Sequence, residues 1–474
     1  MLLTIGLASA LAPHAAGVPC ATLEHRAARE AGAPHALAPT RAAVDNSLET
    51  EHFRIEGAGG YAPTDEELAL MAEILEEVWA VEVDTMGYLE PEIAEDGKFP
   101  VYLEEMNPGL YGYTDLSRND LPYVAINPDM GWSGSSTADA WRVTAAHEFF
   151  HAVQFSYDYW ESSWWMESSA VWMEDVVYDD LDDYHYYMSD DQWPDYPEIS
   201  MVAENGWHEY GEAVWVRYLD ELHGGPDTVK ALWEASVGQT EAMDAIEAQL
   251  GGKEAFEAAW LDFTVRGALG YAGLDEGSEW WPVYRTDIAT DASSLPVTVE
   301  PTEWRPDYLG VNYFRVPLPE ADARELVVEF EGDPTEDGTP LRWQVAIAGT
   351  DGAEWDTVVD TTKDTVTVVL PDVGTRWHEA WIVVGVLSEA TGVNHDAYDS
   401  SPRYDKAPPA FRFTASLREP TGGDTGDTGD TGDTGGPGRK PPAEEPDDCG
   451  CGHGAGPGLL LAAAAIALTA TRRG

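Results

Sequence analysis

The spacing of hydrophobic residues changes twice along this chain. Residues 51–135 alternate short apolar runs, typical of strands, with one capped amphipathic helix that begins at Thr64. A helical period dominates from 136 to about 269, and paired glycines separate its segments. Beyond about 295, apolar and polar residues alternate in short runs between turn residues. The pattern predicts an α+β fold: a domain with a small sheet and a helical half, followed by an all-β sandwich of about seven strands.

The same pattern gives approximate bounds for the elements. Helices are predicted near 64–78, 136–157, 163–178, 209–223, 227–236, 240–250 and 253–267. Strands are predicted near 52–55, 99–103, 123–126, 311–316, 325–331, 341–348, 364–370, 380–387 and 410–417. Because the strand at 123–126 comes just before the first long helix, we expect it to be the sheet edge that lines a cleft, where an extended peptide can add as a further strand.

The two ends have the composition of targeting and linker segments. Residues 1–17 combine apolar and small residues as a secretory signal peptide does, and 18–46 are predicted to be a loose leader rich in Ala and Pro. Residues 419–448 contain an Asp-Thr-Gly repeat with no apolar side chain to bury, which predicts a solvated linker. Between these ends we expect one domain at 47–290 and the β-sandwich at 291–418.

Residues 449–474 contain Cys449 and Cys451, a short apolar run and two terminal arginines. The run has about 12 apolar residues, too few to span a bilayer comfortably. The tail resembles the C-terminal sorting segments of myxobacterial surface proteins. That resemblance implies export, followed by retention at the outer-membrane surface or release, with one of the two cysteines as the processing or lipidation position. A plain tail anchor is the alternative.

Charge excludes several classes of partner. The chain carries 26 basic and 87 acidic side chains, a formal charge of −61. A surface this negative repels nucleic acids and anionic lipid headgroups, so we expect membrane contact only through 449–474. The three cysteines, Cys20, Cys449 and Cys451, lie outside the predicted domains, so no disulfide framework is expected. Oligomeric state does not follow from the sequence.

One motif in the helical part indicates chemistry. His147, Glu148 and His151 form a His-Glu-x-x-His sequence inside the predicted helix. Histidines four residues apart project from the same helix face, so both imidazoles can bind one metal ion. Glu148 between them can act as a general base on a water molecule. A catalytic Zn²⁺ is therefore the expected cofactor, with a pair of solvated or core histidines as the alternative.

A catalytic zinc usually takes three protein ligands, so a third is needed. The next predicted helix is a close antiparallel neighbour and carries Glu167 and Glu174 seven residues apart on one face. We expect Glu167 to be the third ligand and Glu174 to orient a ligand histidine, although the reverse assignment stays open.

These two helices resemble the His-Glu-x-x-His and Trp-x-x-Glu-x-x-Ala halves of gluzincin metallopeptidases such as the aminopeptidase N group. The wider arrangement, over 50–270, resembles a family of exported myxobacterial metalloproteases. The resemblance implies a zincin-like domain and peptide-bond hydrolysis. It also implies a catalytic tyrosine, for which Tyr210 matches, with His208 as the second candidate donor. The connection between His151 and Glu167 is shorter than in the aminopeptidases, so the substrate cleft is expected to differ.

The function expected from the sequence is that of an exported zinc metallopeptidase acting on a peptide or protein. One alternative is a non-catalytic surface adhesion or binding protein with a structural or relic zinc site; another is a zinc hydrolase acting on a small non-peptide substrate. A Ca²⁺ site at Asp179, Asp180, Asp182 and Asp183 has weak support, because the spacing matches no EF-hand loop and a solvated acidic run explains it.

Overall fold

The computed structural model describes residues 2–3, 20–31, 46–93, 95–188, 193–237, 241–277, 283, 285–289, 292–318, 320, 322–336, 338–388 and 408–420. The α-helices are α1 Thr22–Glu30, α2 Asp65–Trp79, α3 Thr137–Gln154, α4 Ser163–Val177, α5 His208–Gly211, α6 Ala213–His223, α7 Pro226–Ala235, α8 Ala242–Leu250 and α9 Lys253–Ala268. The strands are β1 Leu2–Leu3, β2 Ser47–Glu49, β3 Phe53–Ala58, β4 Phe99–Glu104, β5 Gly112–Leu116, β6 Pro122–Ile126, β7 Thr286–Asp287, β8 Val297–Val299, β9 Val311–Pro317, β10 Arg324–Gly332, β11 Thr335–Glu336, β12 Thr339–Thr350, β13 Trp355–Thr362, β14 Thr365–Val373, β15 Glu379–Ser388 and β16 Phe411–Arg418.

The first region, counted here as residues 47–290 and also called the helical region, combines a five-stranded sheet with most of the helices. The predicted α+β class is therefore confirmed. The strand order is β2-β3-β4-β6-β5, with β3, β4 and β6 parallel and the two outer strands antiparallel to their neighbours. The prediction that residues 123–126 form the sheet edge was wrong, because β6 lies between β4 and β5. The edge strand is β5, whose short mixed sequence Gly-Tyr-Thr-Asp-Leu lacks the alternation that marks a strand.

Helices α2 and α3 cover this sheet. Thr64 closes a capping box with Glu67 at the start of α2, and Ser136 caps α3 by accepting the amide N–H of Asp139 at 3.1 Å, as the sequence predicted. Helix α3 is buried on nearly all sides because it lies between the sheet and α4. The ring of Phe149 in α3 packs edge-on against Phe53 of the sheet at 5.4 Å.

The second region, counted here as residues 291–418 and also called the two-sheet region, contains most strands of two further sheets. One has the order β1-β8-β16-β10-β14, and the other has β11-β12-β15-β9-β7 with β13 beside β12. Side chains alternate between the faces of β12: Val345 and Ile347 point into the apolar core between the sheets, whereas Ala346 and Ala348 face the helical region. Two layers with one shared core agree with the predicted sandwich, although the sequence missed β13, whose residues are mostly half-exposed or exposed.

The stretch predicted as a loose leader departs from expectation. Residues 22–30 form α1, which packs against the first region, and Cys20 is 2% exposed. Cys20 therefore lies inside the folded body, so the prediction that it lies outside was wrong. Cys449 and Cys451 are outside the described residues. The signal-peptide prediction falls mainly on residues outside the described part, as do the linker and the tail. No helix in the described ranges is long and apolar enough to cross a membrane.

Candidate metal centre

Helix α3 holds the two histidines and the glutamate of the motif. His147 and His151 are buried one turn apart, and their Nε2 atoms lie 3.1 Å from each other. Each imidazole therefore aims the same nitrogen at one point. Glu148 is also buried, on the side of the helix that faces β5.

Helix α4 brings a carboxylate to the same point. Glu167 Oε2 is 3.1 Å from His147 Nε2, and Glu167 Oε1 is 3.5 Å from His151 Nε2. Oε1 is fully buried and accepts no hydrogen bond. A buried carboxylate oxygen without such a bond is costly unless another positive group, such as a metal ion, compensates it. Together with Cys20, these side chains offer four ligand atoms within 4.8 Å of one another.

The donor set fits a metal ion. Two ligands held 2.0–2.1 Å from a tetrahedral zinc are about 3.3 Å apart, and the three separations above bracket that spacing. Within the described ranges, three or more such ligand atoms gather at this cluster alone. The run Asp179, Asp180, Asp182 and Asp183 forms no such group, and Asp183 accepts a hydrogen bond from Ser135 at 3.2 Å.

Each imidazole is oriented through its second nitrogen. His147 Nδ1 lies 2.7 Å from Glu174 Oε1, and His151 Nδ1 lies 2.7 Å from Gln154 Oε1. Gln154 is itself fixed, since its amide donates to the carbonyl of Met166 and to the hydroxyl of Ser169. These contacts point Nε2 of both rings at the cluster. Glu174 thus occupies the orienting position considered for it, whereas sequence reasoning missed Gln154, which its place three residues after His151 could have suggested.

The two glutamates of α4 have opposite electrostatic environments. Burial favours the neutral acid at Glu167, but the positive charge of His151 and the polar contacts of the carboxylate with the two imidazoles outweigh it and lower its pKa to about 2. At Glu174 burial dominates over the hydrogen bond with His147, and the pKa rises to about 7. The Glu167 carboxyl is therefore negatively charged at neutral pH.

The carboxylate of Glu148 is held against the edge strand. The hydroxyl of Thr114, in β5, lies 2.9 Å from Glu148 Oε2 and 2.6 Å from the Glu148 carbonyl oxygen. Gly112 permits this approach, because a Cβ atom there would lie 3.0 Å from Glu148 Cγ and 2.9 Å from the carbonyl oxygen of Ala125. Sequence analysis identified neither Gly112 nor Thr114, because it did not predict strand β5.

Tyr210, in the short helix α5, lies beside the cluster. Its ring stacks near His147 with a centroid distance of 6.2 Å, and its hydroxyl is 3.5 Å from the carbonyl oxygen of Cys20. His208 points elsewhere: its Nε2 is 2.9 Å from Glu212 Oε1, and its ring is 6.1 Å from that of Trp193. Of the two candidate donors, Tyr210 is the one that lies beside the cluster.

Residues 67–385, which span both regions, match the family DUF6055, described as a family of unknown function. The chain belongs to this family. A comparison with curated protein sequences finds no match. Among solved structures, one similar chain is BtGH115A, a family GH115 4-O-methyl-α-glucuronidase with specificity for decorated arabinogalactans. The identity is 9% and the TM-score 0.15, over 71% of this chain and 54% of that one, so the chain spans about half of that enzyme's length. A similarity this low carries no argument.

Proposed function

We propose that this member of DUF6055 is a zinc-dependent metallopeptidase of the gluzincin type, with a zincin-like domain at 47–290. The observation that carries the proposal is the convergence of His147, His151 and Glu167, with Glu148 lining the same small cavity as His147. A structural metal site needs no base beside it, whereas hydrolysis does.

Zinc held by these three ligands would supply Lewis-acid activation of a water molecule and of the scissile carbonyl. Glu148 takes a proton from the attacking water as the new C–O bond forms. It returns that proton to the amine nitrogen as the C–N bond breaks. Thr114 fixes the Glu148 carboxylate through its hydroxyl. Tyr210 donates a hydrogen bond to the oxyanion that develops on the carbonyl.

The edge strand β5 is the docking strand in this proposal. It is hydrogen-bonded to β6 along one edge, and Glu148 packs against its residues Gly112 and Thr114, so an extended peptide added along the other edge would pass close to the base. This role falls to β5 rather than to residues 123–126.

A metal-binding surface protein with a structural zinc is the second candidate, and Cys20 favours it. With its thiol the cluster offers four protein ligands, the number typical of closed structural sites. Against it stands Glu148, which is buried beside the cluster and has no role in a purely structural site.

Metal analysis and a digest separate the two candidates. His147→Ala and His151→Ala should lose stoichiometric zinc, and one zinc per chain in either variant would contradict the site. The full-length chain and its Cys20→Ser variant should be incubated with a denatured proteome, with and without a chelator. Chelator-sensitive cleavage found by mass spectrometry supports the peptidase. A zinc-loaded Cys20→Ser variant that cuts nothing refutes it, and cleavage of small non-peptide esters or amides alone would indicate the other hydrolase class.

We also propose that the protein is exported and reaches the cell surface or the medium, on the strength of the signal-like 1–17 and the sorting-like tail. Deleting 447–474 should release active protein into the medium with unchanged specific activity. Misfolding of the truncated protein would show instead that the tail belongs to a domain.

A further inference from the structure

We infer that residues 20–31, here called the latency segment, hold the metal centre in a latent form, with the Cys20 thiolate as a fourth ligand in the place of water. The inference rests on the proposed function and adds its regulation. It starts from the position of Cys20, whose sulfur joins the nitrogens of His147 and His151 and the carboxylate of Glu167 within 4.8 Å while the residue is 2% exposed.

The backbone of the latency segment lies where the proposed substrate would dock. Cys20 forms a parallel bridge with Gly112 of the edge strand, and the amide of Ala21 donates to the Gly112 carbonyl oxygen at 3.2 Å. The amide of Thr114, two residues further along β5, donates to the hydroxyl of Thr22 at 2.7 Å. A peptide cannot add to β5 at Gly112 while these contacts persist.

The segment also engages the groups assigned to the reaction. The hydroxyl of Thr22 lies 3.2 Å from Glu148 Oε2, so it occupies one side of the proposed base. The hydroxyl of Tyr210 points at the carbonyl oxygen of Cys20, as it would at a scissile carbonyl. The Cys20 thiol lies 3.1 Å from the Thr22 hydroxyl, which links the proposed ligand to the residue that covers the base.

Helix α1 binds the latency segment to residues on both sides of the metal cluster. Arg26 is 8% exposed and donates to the carbonyl oxygen of Glu161, in the connection between α3 and α4. Arg29 donates to the carbonyl oxygen of Leu116 in β5 at 2.7 Å and lies 3.5 Å from Asp115. Both guanidinium groups lie over the ring of Tyr159. The segment is therefore anchored at both sides and covers the metal cluster between them.

The sulfur can be observed directly on the metal, without any activity. The full-length protein loaded with Co²⁺ should show a thiolate-to-cobalt charge-transfer band. Cys20→Ser should lose the band, and the matched control Cys449→Ser/Cys451→Ser should keep it. Absence of the band in the wild-type protein would overturn the inference, and this measurement does not depend on how any variant folds.

Zinc content and peptide hydrolysis test latency itself. Cys20→Ser should keep one zinc per chain through its three other ligands. Because only molecules with an open cleft can turn over, it should cleave at least about tenfold faster than wild type, while the Cys449→Ser/Cys451→Ser control stays as slow as wild type. Equal turnover of wild type and Cys20→Ser would overturn the inference and leave the peptidase standing. Loss of zinc from Cys20→Ser would overturn it too, by making Cys20 a structural ligand.

Failure of the proposed function has a different signature. If the cobalt band behaves as expected, zinc is retained and no variant cleaves any peptide, the peptidase assignment is refuted. Cys20 is then a ligand of a closed metal site, and there is no activity for the segment to restrain.

Discussion

The helical region and the two-sheet region bury very different interiors. Between 47 and 290 the described interior includes twelve buried carboxylates: Glu56, Glu82, Asp115, Glu148, Glu161, Glu167, Glu174, Asp175, Glu198, Glu209, Glu212 and Glu257. Between 291 and 418 it includes two, Asp307 and Glu325. The core between the two sheets is built from Val, Ile, Leu, Phe, Trp and Ala.

The described part of the helical region therefore buries many ionisable side chains, whereas that of the two-sheet region buries almost none. A buried carboxylate costs free energy unless it is paired, whereas apolar packing between sheets carries no such cost. Four of the twelve lie at the candidate metal centre or bind the latency segment through their carboxylates: Asp115, Glu148, Glu167 and Glu174. We therefore expect substitutions in the first region to alter chemistry, and equally buried substitutions in the second to alter stability alone.

The sharpest test of this comparison exchanges one buried glutamate in each region. Glu148→Gln keeps the shape of the side chain but cannot take a proton, so kcat should fall on the order of 1,000-fold, about 4 kcal/mol. Zinc content should not change. The matched control is Glu325→Gln, which removes a charge paired with Arg418 at 2.6 Å and should leave kcat as it is. Both variants are to be assayed in the wild-type and Cys20→Ser backgrounds. Turnover near wild type for Glu148→Gln would remove the base from the mechanism.

The second prediction concerns a substitution in the apolar core between the two sheets, which should leave the metal centre unchanged. Trp343 is fully buried, its ring packs 5.3 Å from Phe330 and 5.5 Å from Phe411, and its indole N–H donates to the Asp333 carbonyl oxygen. Trp343→Ala should lower the free energy of unfolding by about 3–5 kcal/mol, because it leaves a large cavity. At temperatures below its unfolding transition, zinc content and kcat should match those of the unsubstituted protein. Loss of zinc from the folded variant would show that the two regions are coupled.

Sequence reasoning succeeded where periodicity was strong. The six strands predicted between 311 and 417 are all present, and α3, α4, α7, α8 and α9 begin and end close to their predicted positions. It also named His147, His151, Glu167 and Glu174, because helical spacing alone puts pairs of residues on one face.

It failed where tertiary contacts decide. Strand β5 has too few apolar residues to show alternation, so Gly112 and Thr114 were missed along with the true sheet edge. Helix α1 was missed because its low hydrophobicity resembles a leader; its order comes from contacts with residues far along the chain, such as those of Arg26 with Glu161 and of Thr22 with Glu148. Local pattern cannot reveal contacts at such separations.

The third prediction concerns Tyr210. A phenol that donates to a developing oxyanion acts mainly in the transition state, so Tyr210→Phe should lower kcat on the order of 100-fold, about 3 kcal/mol, with little change in KM. Because Phe keeps the ring beside His147, zinc content and thermal stability should barely move. The Cys20→Ser background is the informative one, because the latency segment there is not held on the metal by a thiolate, so the Tyr210 hydroxyl can face the substrate. An unchanged kcat in that background would make Tyr210 a packing residue.

The smallest expected effect tests whether Glu174 acts through His147. Its carboxylate lies 2.7 Å from His147 Nδ1, where it fixes the direction of Nε2 and raises the basicity of the ring. Glu174→Gln keeps an acceptor at this position but cannot become the carboxylate that polarises the ring of His147 when Glu174 is ionised, so zinc affinity should fall about 10- to 100-fold without loss of the fold. The chain offers a matched control, because Glu76 makes the same carboxylate-to-imidazole contact with His52 at 2.6 Å, partly exposed and with no metal cluster around it. Glu76→Gln should leave zinc affinity unchanged, and both variants should be titrated against a competing chelator. If both substitutions change zinc affinity by the same small amount, the Glu174 carboxylate has only a packing role in α4. The buried charges of the helical region would then contribute less to metal binding than their positions imply.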